Sequence, residues 1–212
     1  MESESTRIAA IKVVDTTTIQ LDEKCAVDYH VNFMSEEFAD EMFAELSLTI
    51  PWRTVVRAGK DGPLTLPRLQ CWMSYPGVDA QLYQKEPALP WSPSMLKLKS
   101  MIETALREQG VTVEFDYVLM NYYRDGNDKI GFHSDDEAYE ENKKTIASIS
   151  LGATRNFRMV AKRKKAKPKY DFNACHGSLI VMRGDTQFHW LHGIPGDSTV
   201  TTPRINLTFR KS

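Results

Sequence analysis

Three side chains that suit metal chemistry occur in the second half of the sequence. In His133-Ser134-Asp135, an extended backbone would place the imidazole and the carboxylate on one side, because alternate side chains of a strand share a face. A later histidine, His192, could supply a third ligand. Two histidines and one carboxylate leave coordination positions open for other ligands, as non-haem Fe(II) oxygenases require. These residues therefore predict a mononuclear iron site.

His189 competes with His192 for the third ligand position. The segment 189–192 (HWLH) would bring both imidazoles near one strand end, so spacing alone does not separate them. We expect two other histidines of the sequence, His176 and His30, to have structural roles.

The segment 204–210 (RINLTFR) alternates between polar and apolar residues without a break. In a strand its polar residues share one face, and they are Arg204, Asn206, Thr208 and Arg210. In an isolated strand this face would simply meet solvent. Beside an Fe(II) site, however, two arginine forks suit a cosubstrate that carries carboxylates.

A second strand face changes from apolar to polar just before the metal motif. It belongs to a strand predicted at about 112–123, and it ends with Asn121 and Tyr123. Tyr123 alone would suit a core position with a tethered hydroxyl group. Next to the two arginines, we interpret Asn121 and Tyr123 as further ligands of the cosubstrate.

The elements that must position these residues are two helices followed by short strands. Ser35 caps a helix with acidic residues in its first turn, and Ser92-Pro93 begins a second helix that Gly110 ends. Alternation predicts strands at about 112–123, 145–151, 156–161, 177–182, 187–191 and 204–210. This pattern is typical of an α+β domain built on a β-sandwich or jelly roll with helical support.

Length and composition indicate one ordinary globular domain. The chain has 212 residues, of which 42% are hydrophobic and 26% are charged, and its net charge is −1. We place an N-terminal arm at 1–24 and the domain at 25–212, and we expect a monomer. Three scattered cysteines and no signal-like or membrane-spanning segment indicate an intracellular protein, nuclear or cytoplasmic.

Five motifs in the same order resemble the AlkB family of Fe(II)/2-oxoglutarate nucleic-acid dealkylases. They are 121–126 (NYYRDG), 130–137 (IGFHSDDE), 148–155 (SISLGATR), 176–179 (HGSL) and 203–210 (PRINLTFR). The resemblance runs from about Phe33 to the C-terminus. It implies a double-stranded β-helix (jelly roll) fold with supporting N-terminal helices and a nucleotide-recognition lid at about 51–92.

The resemblance also assigns roles within the predicted iron site. The family pattern selects His192 over His189, because its ligand directly precedes Gly193. It implies that Arg204 holds the distal carboxylate of 2-oxoglutarate with Asn121 and Tyr123. Asn206, Thr208 and Arg210 would then serve the end near the metal. The implied cofactors are Fe(II), 2-oxoglutarate and O₂.

The implied reaction is oxidative demethylation of 1-methyladenine and 3-methylcytosine, with release of formaldehyde, succinate and CO₂. The resemblance places Glu137 against the damaged base, although acidic runs such as 135–141 usually face solvent. Around 78–80 the chain lacks the aromatic residues that relatives use for stacking, so we expect Trp72, Tyr75 or Tyr83 to substitute. The segment 69–72 (LQCW) also lacks the apolar wedge found in relatives that specialise in duplexes. Its absence favours single-stranded DNA or RNA as substrate.

A basic segment lies between two predicted strands. It contains six cations in eight residues: Lys162, Arg163, Lys164, Lys165, Lys167 and Lys169. Such a segment is often a solvated loop or a nuclear-import signal. Because the protein as a whole is nearly neutral, we interpret the segment as one that follows the phosphates of a bound nucleic acid.

Two other functions remain open at this stage. The same chemistry could hydroxylate or demethylate a protein, although the basic segment and Glu137 favour nucleic acid. The chain could also be a non-catalytic nucleic-acid-binding module, but the three metal ligands and both arginines are present.

Overall fold

The computed structural model describes residues 16–59, 62–78, 87–135, 144–163 and 169–212. Its elements in chain order are β1 (Thr16–Asp22), β2 (Cys25–His30), α1 (Glu36–Thr49), β3 (Arg53–Gly59), β4 (Gly62–Ser74), α2 (Pro93–Glu108), β5 (Tyr117–Tyr123), β6 (Ile130–His133), β7 (Ile146–Gly152), β8 (Arg155–Ala161), β9 (Lys169–Ala174), β10 (Ser178–Gly184), α3 (Thr186–His189), β11 (Trp190–Ile194) and β12 (Arg204–Arg210). None of the helices in these ranges is long and apolar enough to cross a membrane.

The strands form two antiparallel sheets within the described ranges. The large sheet has eight strands in the order β1-β2-β10-β7-β12-β5-β4-β3, and the small sheet has four in the order β6-β11-β8-β9. β12 lies near the middle of the large sheet, between β7 and β5. This arrangement confirms the predicted jelly roll, and it encloses the polar face of β12.

Both predicted helices are present and begin at the expected caps. The Ser35 hydroxyl accepts a hydrogen bond from the Phe38 amide at the start of α1, and Ser92 caps the Met95 amide at the start of α2. Pro93 occupies the first turn of α2, where its missing N–H leaves no bond unmade. The apolar stripes of both helices cover one face of the large sheet.

The alternation of β12 divides two environments. Ile205, Leu207 and Phe209 lie in the core between the large sheet and the two helices. The polar residues of the strand, although fully or nearly buried, point to the opposite side and line a cavity. A second apolar core, which includes Phe157 and Trp190, packs between the sheets beside that cavity. The period of two therefore predicted which side chains of β12 face the site.

The N-terminal arm and the lid region both contribute strands to the large sheet. β1 pairs with β2 along its length, so the end of the predicted arm 1–24 is an edge strand of the domain. β3 and β4 form a hairpin that extends the opposite edge, because β4 pairs with β5. The lid region is therefore continuous with the strand that carries Asn121.

The strand predicted at 187–191 is displaced by a short helix. Residues Thr186–His189 form α3, and the strand β11 begins only at Trp190. The chain reverses at Gly184, whose φ of +64° favours glycine and whose added Cβ would lie 2.1 Å from the Lys24 carbonyl oxygen. The helix that follows this turn leaves His189 exposed. A further strand, β9 at Lys169–Ala174, was not predicted.

Candidate active site

The small sheet brings the predicted metal ligands together. His133 ends β6 and lies opposite His192 in the register of β6 with β11. Asp135 follows β6 by two residues. One ligand atom from each of His133, Asp135 and His192 lies within 4.8 Å of the others. Nε2 of His133 is 3.7 Å from Asp135 Oδ1, and Nε2 of His192 is 3.6 Å from Asp135 Oδ2. These distances are too long for hydrogen bonds and suit atoms that share a metal ion.

The protonation states of the three groups fit a divalent metal. Burial alone would raise the pKa of Asp135, but Arg210, His192 and His133 outweigh it, so the pKa lies below its usual range. Burial, followed by the neighbouring His133, lowers the pKa of His192 to about 3, which keeps the imidazole neutral. Nδ1 of His133 lies 2.9 Å from the Gly131 carbonyl oxygen and can only donate to it, so in the neutral tautomer Nε2 is the nitrogen that can bind a metal.

An unsatisfied oxygen supports the same assignment. Oδ2 of Asp135 is buried and receives no hydrogen bond from any residue that the structure describes. A buried carboxylate oxygen without a donor is costly unless another group completes it. Fe(II) bound by His133, Asp135 and His192 would complete it, so the donor set fits the implied metal.

Two further residues hold the metal-binding segment in place. Oε1 of Gln187, in α3, accepts a hydrogen bond from the Asp135 backbone amide at 2.9 Å. Lys162 donates to Ser134 Oγ and to the Gln187 carbonyl oxygen, both at 2.8 Å. Sequence reasoning missed Gln187, because no local pattern links it to the metal motif. These internal contacts of Lys162 were not predicted, and its predicted phosphate contact stays a prediction.

The opposite end of the cavity contains a buried arginine. Arg204 is 1% exposed, and its Nη2 donates to Ser150 Oγ at 2.9 Å. Its Nε and Nη1 are buried and have no hydrogen-bond partner within the described part of the chain. The guanidinium carbon lies 5.1 Å from the centre of the Tyr123 ring. Burial lowers the pKa of Arg204, yet an arginine remains charged at neutral pH.

The other polar residues of β12 are arranged between these ends. Nδ2 of Asn206 donates to Ser148 Oγ at 2.8 Å, and Thr208 Oγ1 donates to Asn206 Oδ1 at 3.1 Å. Arg210 donates through Nη2 to Asp135 Oδ1 at 2.9 Å. Arg210 therefore lies at the metal end of the strand and Arg204 at the far end, in the order that the sequence predicted.

One cavity of about 710 Å³ joins the metal ligands to Arg204. Asn121 and Tyr123 line it, as predicted, together with three cations that sequence reasoning missed: Arg57, Arg68 and Lys129. Among the described lining residues Asp135 is the sole carboxylate. The described wall thus carries a clear excess of positive charge, which favours anionic ligands.

The predicted base-contacting residues are only partly brought to this cavity. Trp72 lies on the cavity-facing side of β4, opposite Leu119, but it is 5% exposed and is not among the described lining residues. Tyr75 lies instead on the helix-covered side, where its ring centre is 5.6 Å from that of Trp91. The structure therefore does not support Tyr75 as a pocket residue. Glu137 and Tyr83 lie outside the described residues.

The rest of the basic segment is described only at its ends. Arg163 and Lys169 are exposed, as a contact to nucleic acid would require. Lys164, Lys165 and Lys167 lie outside the described residues. The phosphate-contacting role of these five residues stays a prediction.

A jelly roll with two histidines and one carboxylate beside a buried arginine defines the class of Fe(II)/2-oxoglutarate oxygenases. Residues 26–210 match the family model of the 2OG-Fe(II) oxygenase superfamily. The solved structure of OsALKBH1 has the same fold, with a TM-score of 0.62 and 16% identity over 92% of this chain and 100% of that one.

Curated relatives narrow the class. The chain is 34% identical over 188 residues to alpha-ketoglutarate-dependent dioxygenase alkB homolog 3 of Mus musculus, covering 84% of this chain and 63% of the relative. It is 33% identical over 200 residues to DNA oxidative demethylase ALKBH2 of Bos taurus, covering 87% and 68%. The chain therefore belongs to the AlkB family, although it spans somewhat less than two thirds of the alkB homolog 3 proteins.

Proposed function

We propose that the protein is an Fe(II)/2-oxoglutarate-dependent dioxygenase that removes methyl groups from N-methylated bases in nucleic acid. The observation that carries this proposal is the single cavity with a two-histidine, one-carboxylate group at one end and an incompletely bonded arginine at the other. The first group fits iron and the second fits the distal carboxylate of 2-oxoglutarate. Both fit the cofactors of the family.

The residues of the chain divide the work between binding and orientation. His133, Asp135 and His192 would hold the iron, and Arg204 with Tyr123 and Asn121 would anchor the cosubstrate. Bound iron would supply the oxidative chemistry: one oxygen atom of O₂ would enter succinate as 2-oxoglutarate loses CO₂, and the other would hydroxylate an N-methyl carbon, which would then leave as formaldehyde.

Three neighbouring residues hold the predicted metal ligand Asp135 in place. Arg210 keeps the Asp135 carboxylate charged and oriented, Gln187 accepts a hydrogen bond from the Asp135 backbone amide, and Lys162 donates to the hydroxyl of the preceding Ser134.

Nucleic acid is the substrate class that the cavity and the relatives favour. One relative is named a DNA oxidative demethylase. The described cavity wall carries the exposed cations Arg57 and Lys129 in addition to the cations near the cosubstrate, and these two suit a phosphate-bearing ligand. Because the metal ligands lie within the fold, a target base must be unpaired or flipped out to reach them. We propose 1-methyladenine and 3-methylcytosine in single-stranded DNA or RNA.

The test is a demethylation assay on three matched oligonucleotides: single-stranded DNA, duplex DNA and RNA, each with one methylated base. We expect a mass loss equal to one methylene group, with succinate formed in equal amount, and the largest rate on the single strands. A His133→Ala variant should form neither product. If all three oligonucleotides stay unchanged while a methylated peptide loses its methyl group, the protein is instead a protein demethylase and the proposal is wrong.

The three thiols bear on the proposed cellular setting. Cys25, Cys71 and Cys175 are free, as expected in a reducing compartment. This observation supports the proposal that the protein acts inside the cell, where nucleic acid is present. That it acts as a monomer stays a prediction.

A further inference from the structure

Asn121, in the cosubstrate wall, is held by two side chains from the neighbouring strand. Arg68 Nε donates to Asn121 Oδ1 at 2.8 Å, and Gln70 Nε2 donates to the same oxygen at 2.7 Å. The three residues are buried, with exposures of 4% to 6%. Gln70 lies directly opposite Asn121 in the register of β4 with β5. The arrangement therefore follows from the pairing of the hairpin with the sheet.

The chemistry of the donors fixes the orientation of the Asn121 amide. A guanidinium group donates and never accepts, so the Asn121 atom that faces Arg68 must be the carbonyl oxygen. Gln70 faces that oxygen as well, so it must present its own NH₂ group. The Nδ2 of Asn121 has no partner among the residues that the structure describes, and Asn121 lines the cavity. Its NH₂ group is therefore the part available to a ligand.

We propose that Arg68 and Gln70 are positioning residues that hold the Asn121 amide with its NH₂ group toward 2-oxoglutarate. This inference rests on the proposed function, since it assumes that the cavity binds this dicarboxylate. Carboxylate and keto oxygens accept hydrogen bonds and donate none. A reversed amide would set Oδ1 against them and would also place NH₂ against two buried donors. Both faults disfavour the reversed state.

The same arginine connects the hairpin to the metal end. Arg68 Nη1 donates to the Lys129 carbonyl oxygen at 3.3 Å. Lys129 directly precedes β6, the strand that ends at His133. Arg68 also adds a positive charge to the cavity wall, so its removal would change more than the orientation of Asn121. Gln70 is neutral and offers the cleaner test.

The experiment compares two replacements of Gln70 in protein loaded with Zn(II), which is diamagnetic and does not turn over. In Gln70→Glu, the new carboxylate cannot donate to Asn121 Oδ1 and draws the Arg68 guanidinium to itself, so both donors that prevent the amide from reversing are lost. We expect the affinity for 2-oxoglutarate, measured by titration calorimetry, to fall about 10- to 100-fold, as for the loss of one hydrogen bond to a charged group. In Gln70→Met, Arg68 still holds Oδ1, and we expect less than about a threefold loss.

A double-mutant cycle separates orientation from charge. In an Asn121→Ala background, Gln70→Glu should weaken 2-oxoglutarate binding by less than about threefold, because there is no amide left to reverse. An undiminished loss in that background would overturn the proposal, since the new charge alone would then explain it. Equal losses in Gln70→Met and Gln70→Glu would also overturn it.

A spectroscopic signature tests the contact directly. In the unmodified protein, addition of 2-oxoglutarate should shift the side-chain NH₂ signals of Asn121 in a ¹⁵N–¹H correlation spectrum, and in Gln70→Glu it should not. Unshifted Asn121 signals in the unmodified protein, with calorimetric binding intact, would overturn this inference alone. If the unmodified protein fails to bind 2-oxoglutarate at all, the proposed function falls together with it.

Discussion

The two ends of β12 carry buried arginines that differ in how fully the protein satisfies them. Arg210, at the metal end, donates to a carboxylate of the same chain, Asp135. Arg204, at the far end, donates to Ser150, and its Nε and Nη1 have no acceptor in the described ranges. Both side chains lie on one face of one strand, so their environments and not their positions in the sequence distinguish them.

This difference indicates which arginine is reserved for a ligand. Burial of a charged group without partners destabilises the fold, so a persistent case points to a missing partner. Arg155 provides a reference, because its two terminal guanidinium nitrogens donate to the carbonyl oxygens of Asp125, Asp128 and Pro195, and of its nitrogens only Nε has no partner in the described ranges. Arg155 organises the loop before β6 and Arg210 organises the metal ligand, whereas Arg204 is the arginine that we propose binds an external anion.

Replacement of Arg204 should have the largest effect. We expect Arg204→Met to weaken 2-oxoglutarate binding by about 2–5 kcal/mol, or roughly 30- to several-thousand-fold, as for truncation of one partner in a buried charged pair. Titration calorimetry with Zn(II)-loaded protein measures this loss. In the absence of cosubstrate, the same variant should unfold at an equal or higher temperature, because an uncompensated buried charge is gone.

The conservative variant Arg204→Lys is the matched control for charge. It keeps the cation but loses the two-pronged donor geometry, so its 2-oxoglutarate affinity should fall between that of Arg204→Met and that of the unmodified protein. A marked loss of thermal stability in Arg204→Met without cosubstrate would show that the chain itself satisfies this arginine. That result would contradict the distinction drawn between Arg204 and Arg210.

At the metal end, replacement of Arg210 should act on the ion first. Arg210→Met removes a donor from the Asp135 carboxylate, and loss of such supporting contacts typically lowers metal affinity about 10- to 100-fold. Competition with a chelator of known affinity for Zn(II) measures the change. Arg210→Lys should recover part of the affinity.

The two arginine variants should thus show opposite patterns. Arg204→Met should leave Zn(II) affinity within about threefold of the unmodified value, since the residue touches no metal ligand. Equal losses of metal affinity in both variants would remove the distinction between the two ends of β12.

Arg155 should affect stability and little else. Arg155→Met removes the donors that cap loop carbonyl oxygens, and we expect the free energy of unfolding to fall by about 2 kcal/mol. Urea unfolding of the metal-free protein measures it. At a temperature where the variant is folded, 2-oxoglutarate affinity should change less than about threefold. A loss as large as that in Arg204→Met would place Arg155 in the binding site.

Strand alternation predicted the polar face of the site because it is a local property. The parity of β12 and β5 separated Arg204 and Asn121 from the apolar residues of the core, and the same rule paired His133 with Asp135. The choice of His192 over His189 needed the family pattern. The structure gives the physical basis of that choice, because α3 leaves His189 exposed while His192 faces Asp135.

Contacts between elements could not be predicted in this way. Arg68 reaches Asn121 only because the hairpin pairs with β5, and Gln187 reaches Asp135 only because a turn at Gly184 sets α3 beside the metal segment. Neither contact corresponds to a repeating pattern of residue types along the chain. The internal contacts of Lys162 were not predicted for the same reason, since nothing local within a run of cations marks the one whose ammonium group is hydrogen-bonded inside the fold.

The smallest expected effects are those of the basic segment on the salt dependence of nucleic-acid binding. Arg163 and Lys169 are exposed, so Arg163→Ala/Lys169→Ala should weaken binding to all oligonucleotides alike and reduce the salt slope by about one to two units. Lys162→Met should leave that slope unchanged and instead lower Zn(II) affinity, because its ammonium group braces Ser134 and Gln187. Fluorescence anisotropy at several salt concentrations separates the two variants. A reduced slope in Lys162→Met alone would show that its internal contacts give way to phosphate when nucleic acid binds.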